Sequence, residues 1–266
     1  MKERSVESTF SGPIAEMWDD IFNPAAEKEV SFYLNQFKGT PLQGKTLDIG
    51  CGTGRFLLPL LKQGHQAVGI DSSDAMLDVF RRKAQAAGIE PDVRHMSFDG
   101  YPDSGPFQGI VAFYVIFYFL KTDELRAFFK KAFSLLSPGG LLLFNYYNPF
   151  EIWEPKKWGY PNTYPYEWGF GRVEYTYTPV DYIRGIAEMQ EYSMVSKDGV
   201  PRFDYKTRHV RFYTMTELQL LLEDVGFPTS VPSPASSRIR CEKKTSGGTP
   251  CTRRQGSPDR HGGEEG

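Results

Sequence analysis

Thr46-Leu47-Asp48-Ile49-Gly50-Cys51-Gly52-Thr53-Gly54-Arg55, with Gly69-Ile70-Asp71 closing the next apolar run, is the stretch best equipped for chemistry. An apolar strand ending in glycines at alternate positions, with a helix after it, lets backbone N–H groups and the helix start approach a ligand closely. Asp71 then stands where an acid accepts hydrogen bonds from two ribose hydroxyls. Together these features predict a nucleoside pocket. The Gly-x-Gly-x-x-Gly spacing of a dinucleotide site is not met, because the third glycine, Gly54, comes one residue early.

Other reactive residue types are sparse. Cys51 reads as a small packing residue in the loop, with a reactive thiol as the alternative. His209, in Arg208-His209-Val210-Arg211, is either a general base working near neutral pH or a histidine hydrogen-bonded within its strand. His65 and His261 read as solvated, and Arg208 and Arg211 as surface charge unless they meet Asp204 or an acidic acceptor. Three cysteines and four histidines without ligand spacing give no metal site. No catalytic residue is singled out.

The elements that must position these residues alternate. Strands are expected over 46–49, 67–70, 92–96, 109–115 and 141–146, and helices over 57–62, from Ser73-Asp74, and from Thr122-Asp123-Glu124 to a stop at Ser137-Pro138-Gly139-Gly140. A last helix opens with the capping box Thr214 and Glu217 and ends at Gly226. Alternation of this kind argues for a parallel sheet covered by helices, preceded by a helical lead-in over 12–40 that carries Trp18 and Phe22.

Residues 151–213 are not needed by that pattern and read as an inserted antiparallel lid of about three strands, with a hairpin turn at Asp198-Gly199. Aromatics crowd its start. Most should cover the lid and the mouth of the core, while a few, with Tyr146, Tyr147 and Trp153 favoured, should line an acceptor pocket beyond the fifth strand. From Pro232 to Gly266 the text changes; after Ile239 there is no Val, Ile, Leu, Met, Phe, Tyr or Trp, so disorder is expected there. The division is therefore 1–150 with 214–231 as the nucleoside-binding domain, 151–213 as the substrate lid, and 232–266 as a disordered or aberrant tail.

Charge adds exclusions. With 31 basic and 33 acidic residues there is no field to attract nucleic acid or an anionic membrane. A charged start without an apolar run and the cysteine usage point to a cytoplasmic chain. No oligomeric state can be read from the pattern.

With Leu47-Asp48-Ile49-Gly50-Cys51-Gly52-Thr53-Gly54-Arg55 and Val68-Gly69-Ile70-Asp71-Ser72-Ser73-Asp74-Ala75-Met76-Leu77 in place, the chain resembles class I S-adenosylmethionine-dependent methyltransferases of small molecules. The resemblance implies a Rossmann-like doubly wound α/β sheet with S-adenosylmethionine as cofactor. It further implies that Asp48 and the loop residues Gly50, Cys51, Gly52, Gly54 and Arg55 hold the methionine end. Asp71 would bind the ribose, Ser72 and Met76 flank the adenine, His95 and Met96 line its edge, and a carbonyl near Phe113 or Tyr114 receive the ammonium. His95 stands where many relatives carry an acid, and Asp99 is the nearby substitute. The expected reaction is in-line methyl transfer to N or O of a small molecule. The alternatives are a cofactor-binding protein without catalysis and an NAD-dependent oxidoreductase.

Overall fold

The computed structural model describes residues 15, 18–19, 30–35, 44–102, 104–147, 149, 162–166, 169–197, 199–228 and 238–242. A parallel sheet forms from β1 (Thr46–Ile49), β2 (Ala67–Asp71), β3 (Asp92–His95), β4 (Phe107–Ala112) and β5 (Leu136–Asn145). Between them run α1 (Leu57–Lys62), α2 (Asp74–Ala86) and α3 (Thr122–Leu135). A second sheet follows β5: β6 (Asn162–Tyr166), β7 (Gly169–Asp181), β8 (Ile186–Lys197) and β9 (Val200–Arg211), all antiparallel. It has four strands where about three were expected. Helix α4 (Met215–Asp224) and strand β10 (Arg238–Glu242) complete the described chain.

Strand order in the first sheet is β10-β5-β4-β1-β2-β3, with β10 antiparallel to β5. The order in which strands are added reverses between β1 and β4, which run parallel, so the crevice beyond their carboxyl ends is where ligands of such sheets bind. The strands are central because they are apolar on both faces: every residue of β1 is buried, as are Ala67, Val68 and Ile70 of β2 and Leu141 to Phe144 of β5. Helix α3 buries Leu125, Phe128, Phe129, Ala132 and Leu135 on one stripe, and α2 buries Met76, Leu77, Val79, Phe80 and Ala84.

Local signals account for the helix ends. The Ser73 side chain accepts the Met76 N–H at the start of α2, and Thr214 and Glu217 form a reciprocal capping box at the start of α4. Gly226 follows α4 with φ 99°. Residues 137–140 do not form a free-standing stop, because α3 ends at Leu135 and these residues enter β5 directly, with a register shift opposite Phe107 to Gly109.

The expected disorder of 232–266 does not hold for 238–242, whose strand covers the outer edge of β5. The rest of that tail lies outside the described residues. Among the described residues, no helix is long and apolar enough to cross a membrane.

Candidate functional site

The glycine loop joins β1 to α1 through three left-handed residues, Gly50, Gly52 and Gly54, with φ of 72°, 54° and 76°. Their roles differ. A side chain on Gly54 would overlap the Phe80 ring, whose Cδ2 would lie 2.4 Å from the added carbon, so this glycine serves the packing of α2 against the loop. At Gly52 the nearest atom would be Met76 Cε at 3.7 Å, so the space above it is open. The loop therefore gives a ligand close backbone approach at Gly52. The N–H groups of Gly50, Cys51, Gly52 and Gly54 all bond inside the protein, to Ile70 O, Ile70 O, Asp71 and Cys51 O respectively.

Asp71 terminates β2 beside that open space. Its Oδ2 accepts the Gly52 N–H at 2.8 Å and its Oδ1 accepts the Ser73 N–H at 2.7 Å. Burial raises its pKa above the ordinary value, against the pull of those amides and of His95. A carboxylate has about four lone-pair sites, so two bonded amides leave capacity for two hydroxyl donors. The site thus fits a ribose. Met76 is buried next to Gly52, and His95 pairs with Asp71 in register and places Nε2 3.0 Å from Ser72 O. Met96 donates its N–H to Asp71 O, while Asp99 is exposed and its carbonyl accepts from Lys131.

Asp48 is buried within β1 at 3 % exposure. Cys51 turns inward: its sulfur fills the space over Gly69, and burial pushes its thiol pKa well up, so the loop presents its backbone, not a thiolate. Phe113 likewise sends its ring into the core against Phe56, 5.5 Å between centroids.

Tyr114, just beyond β4, holds the left-handed conformation at φ 61°, with its N–H bonded to Asn145 Oδ1 at 2.5 Å. A bulky residue held this way stores strain of about 1–3 kcal/mol, a pattern concentrated at ligand sites. The Arg55 guanidinium lies 5.2 Å from the Tyr114 ring centroid. Arg55 thus joins the loop to a group of tyrosines in which Tyr147 was expected as an acceptor-pocket residue and Tyr118 was not. Tyr114 contacts Tyr147, which packs on Phe117 and Phe212; Tyr177 also packs on Phe212. Burial raises the pKa of Tyr118, Tyr147 and Tyr175. Tyr118 nevertheless keeps 36 % of its surface accessible. Both properties belong to a side chain that lines a cleft.

Tyr118 sits in the 3₁₀ turn Ile116–Tyr118 after β4, within electrostatic reach of Asp71 on one side and of Glu191 and Arg208 on the other. The pair Glu191–Arg208 bridges β8 and β9 at 2.9 Å. Neither it nor Arg211 is surface charge, as expected for the arginines. Arg211 is buried, donates to Leu120 O, Thr122 and Glu217, and lies 4.3 Å from the Tyr213 ring centroid. His209 is exposed, on the face of β9 opposite Arg208, and the fold does not bring it to the cleft. Tyr146 packs against the core under β5, Tyr147 reaches the tyrosine group, and Trp153 lies outside the described residues.

A second set of contacts fastens the lead-in helix over the loop. Asp19 accepts the Thr53 hydroxyl at 2.5 Å and pairs with Lys83, which also donates to Thr53 O at 2.8 Å. No group of three or more metal-ligating side chains occurs among the described residues.

This sheet order and glycine loop are those of the class I S-adenosylmethionine-dependent methyltransferase fold, and S-adenosylmethionine is the cofactor of that class. Residues 46–140 match the family model described as a methyltransferase domain. Among similar proteins, YqeM of Bacillus subtilis (strain 168), named provisionally as a methyltransferase, is 25% identical over 80% of this chain and 84% of its own. The ubiquinone biosynthesis O-methyltransferase of Dinoroseobacter shibae (strain DSM 16493 / NCIMB 14021 / DFL 12) is 34% identical, over 41% of this chain and 42% of its own. The match to that relative thus spans less than half of either protein. The crystal structure of Streptomyces venezuelae DesVI is similar in fold, with a TM-score of 0.74, 15% identity, and coverage of 89% of this chain and 100% of that one.

Proposed function

We infer that this methyltransferase acts on N or O of a small molecule, held between the antiparallel sheet and the carboxyl ends of β1, β4 and β5. The observation that carries the reading is a cluster of partly buried tyrosines beyond the ends of β4 and β5, which we read as the wall of an acceptor cleft. Tyr114, Tyr118 and Tyr147 come from the β4 and β5 ends, and Tyr175 and Tyr177 from β7 face them. Such a wall takes a flat or apolar body and supplies few groups for a phosphate backbone. A solved relative in the same fold is described as an amino pentose methyltransferase, and the Dinoroseobacter protein as an O-methyltransferase of ubiquinone biosynthesis. Both are small-molecule enzymes, which supports the reading at the level of acceptor size.

Asp71, Gly52, Met76 and the Asp48 end of β1 would hold the cofactor, with the Phe113–Tyr114 backbone near its amino group. Bound there, S-adenosylmethionine supplies a methyl group on a positively charged sulfur. The chain's own task is to align the acceptor with that methyl and exclude water, for which the antiparallel sheet acts as a lid over the cleft. A neutral amine needs no strong base, which fits a cleft where His209 is turned away.

A screen of amine and hydroxyl acceptors, read as S-adenosylhomocysteine release, tests the proposal. Turnover with small amines or phenols is expected. Turnover confined to nucleic acid or protein would overturn it.

A further inference from the structure

The inner face of the antiparallel sheet carries a charged pair that a simple cover would not need. Register sets Tyr175 of β7 opposite Glu191 of β8, and Glu191 opposite Lys206 of β9. Alternation then puts Met189, Glu191 and Ser193 on the buried face, while Tyr192 and Tyr205 point outward. Glu191 is 1 % exposed. Its Oε2 meets Arg208 Nη2 at 2.9 Å, and its Oε1, equally shut off from solvent, has no hydrogen-bond partner among the described residues.

A buried acceptor left without a donor is costly, and sites built to bond a ligand leave such atoms open. Arg208 and, from the opposed position on β9, Lys206 already offset the charge of Glu191 in part, against burial and Asp204, which raise its pKa. What Oε1 lacks is therefore a donor, not a cation. The neighbours show where that donor would come from. The Arg208 guanidinium is 6.0 Å from the Tyr118 ring centroid, and Tyr118 and Tyr175 are both within electrostatic reach of Glu191. Tyr118, Arg208 and Glu191 thus connect the turn after β4 to the antiparallel sheet.

We propose that Glu191 is an acceptor-recognition residue, its Oε1 accepting a hydrogen bond from an N–H or O–H of a small ring-bearing acceptor stacked on Tyr118 and Tyr175. Arg208 is its positioning residue, fixing which oxygen is presented. An acceptor whose only polar group there is a carboxylate has no donor to give and is refused. The proposal rests on the reading that the acceptor lies in the tyrosine-lined cleft.

The test uses the full chain saturated with S-adenosylhomocysteine, titrated with benzylamine, benzyl alcohol and benzoate by ligand-observed NMR. Benzylamine and benzyl alcohol should bind at least tenfold more tightly than benzoate. In Glu191→Gln the amide carbonyl turns to Arg208 and the NH₂ takes the place of Oε1, so a donor replaces an acceptor. Benzylamine should then weaken at least tenfold and benzoate gain, with S-adenosylhomocysteine affinity within twofold of the original. A merely structural Glu191 would not invert selectivity. Equal binding of the three probes, no binding of benzylamine, or unaltered selectivity in Glu191→Gln would overturn the proposal. If that variant does not fold, Glu191→Ala, which removes the acceptor without supplying a donor, decides instead: benzylamine should lose its preference over benzoate, and an unaltered preference would overturn the proposal. Turnover in the acceptor screen with an unchanged acceptor KM in Glu191→Gln would sink this inference and leave the methyl-transfer reading standing. Inverted selectivity without any turnover would do the reverse.

Discussion

Asp71 and Gly52, nineteen residues apart, are joined by a 2.8 Å hydrogen bond in which the ribose acid accepts the N–H of the one loop glycine that has open space above it. The acid therefore shapes the loop as well as standing where the proposed cofactor site needs a ribose acceptor. Replacing Asp71 with Ala strands the Gly52 and Ser73 amides and removes the hydroxyl acceptor. Cofactor affinity should fall by about 1–3 kcal/mol. Calorimetry with S-adenosylhomocysteine checks this, and an unchanged affinity would remove Asp71 from the site.

Asp71 also predicts a pH dependence. Burial raises its folded-state pKa above 3.8. The stabilisation linked to its proton is thus complete below the unfolded value and lost as pH rises through the folded one. Cofactor binding has the opposite sign, because the protonated acid accepts fewer hydrogen bonds from ribose. Titrations from about pH 7 down to about pH 4 should show affinity falling through that window. Asp71→Asn should flatten the curve, and an equal slope in that variant would exclude Asp71 as its source.

The loop glycines should separate binding from folding. Gly54→Ala meets the Phe80 ring and must keep φ near +76°, so it should cost about 3 kcal/mol of stability in urea unfolding. Gly52→Ala has room, and only its left-handed backbone costs about 1 kcal/mol. Its methyl instead occupies ligand space, and affinity for S-adenosylhomocysteine should fall at least tenfold. Reversed behaviour of the two variants would refute the assignment.

Asp19 binds Thr53 and Lys83 across the top of the loop. Asp19→Ala should cost about 1–3 kcal/mol, since the buried Thr53 hydroxyl loses its acceptor while the Lys83 pair is partly solvated. It should also speed cofactor release in stopped-flow displacement. A release rate equal to the parent's would show that the lead-in helix does not retain the cofactor.

Much of the donor half was legible in the sequence. Helix 57–62, the opening of α2 at Ser73-Asp74 and the Thr214–Glu217 cap rest on short-range periodicity and capping, which single segments carry. Strand β4 ends at Ala112 and not at 115, because Tyr114 turns left-handed and donates its N–H to Asn145 Oδ1, thirty-one residues away. No local preference announces that contact. The lid side was least legible. Glu191 and Arg208 sit on alternating strands, where a charge reads as solvent-facing, and only the register of β8 with β9 shows that they share the buried face. His209 failed for the same reason in reverse: one residue of alternation sends it outward.

Strand β10 lies directly on β5, Ile239 opposite Phe144, although the whole antiparallel sheet and α4 separate them in sequence. The β6 to β9 hairpins join neighbours and can zip early, whereas this last pairing must close a very long loop. On a ribosome the β5 edge is consequently open until β10 has been made, and a nascent chain is until then most exposed to edge-to-edge association. Pulse-labelled hydrogen exchange should find protection at 141–145 arising after that at 186–197. Simultaneous protection would instead mean that the lid and the sheet edge form as one cooperative unit.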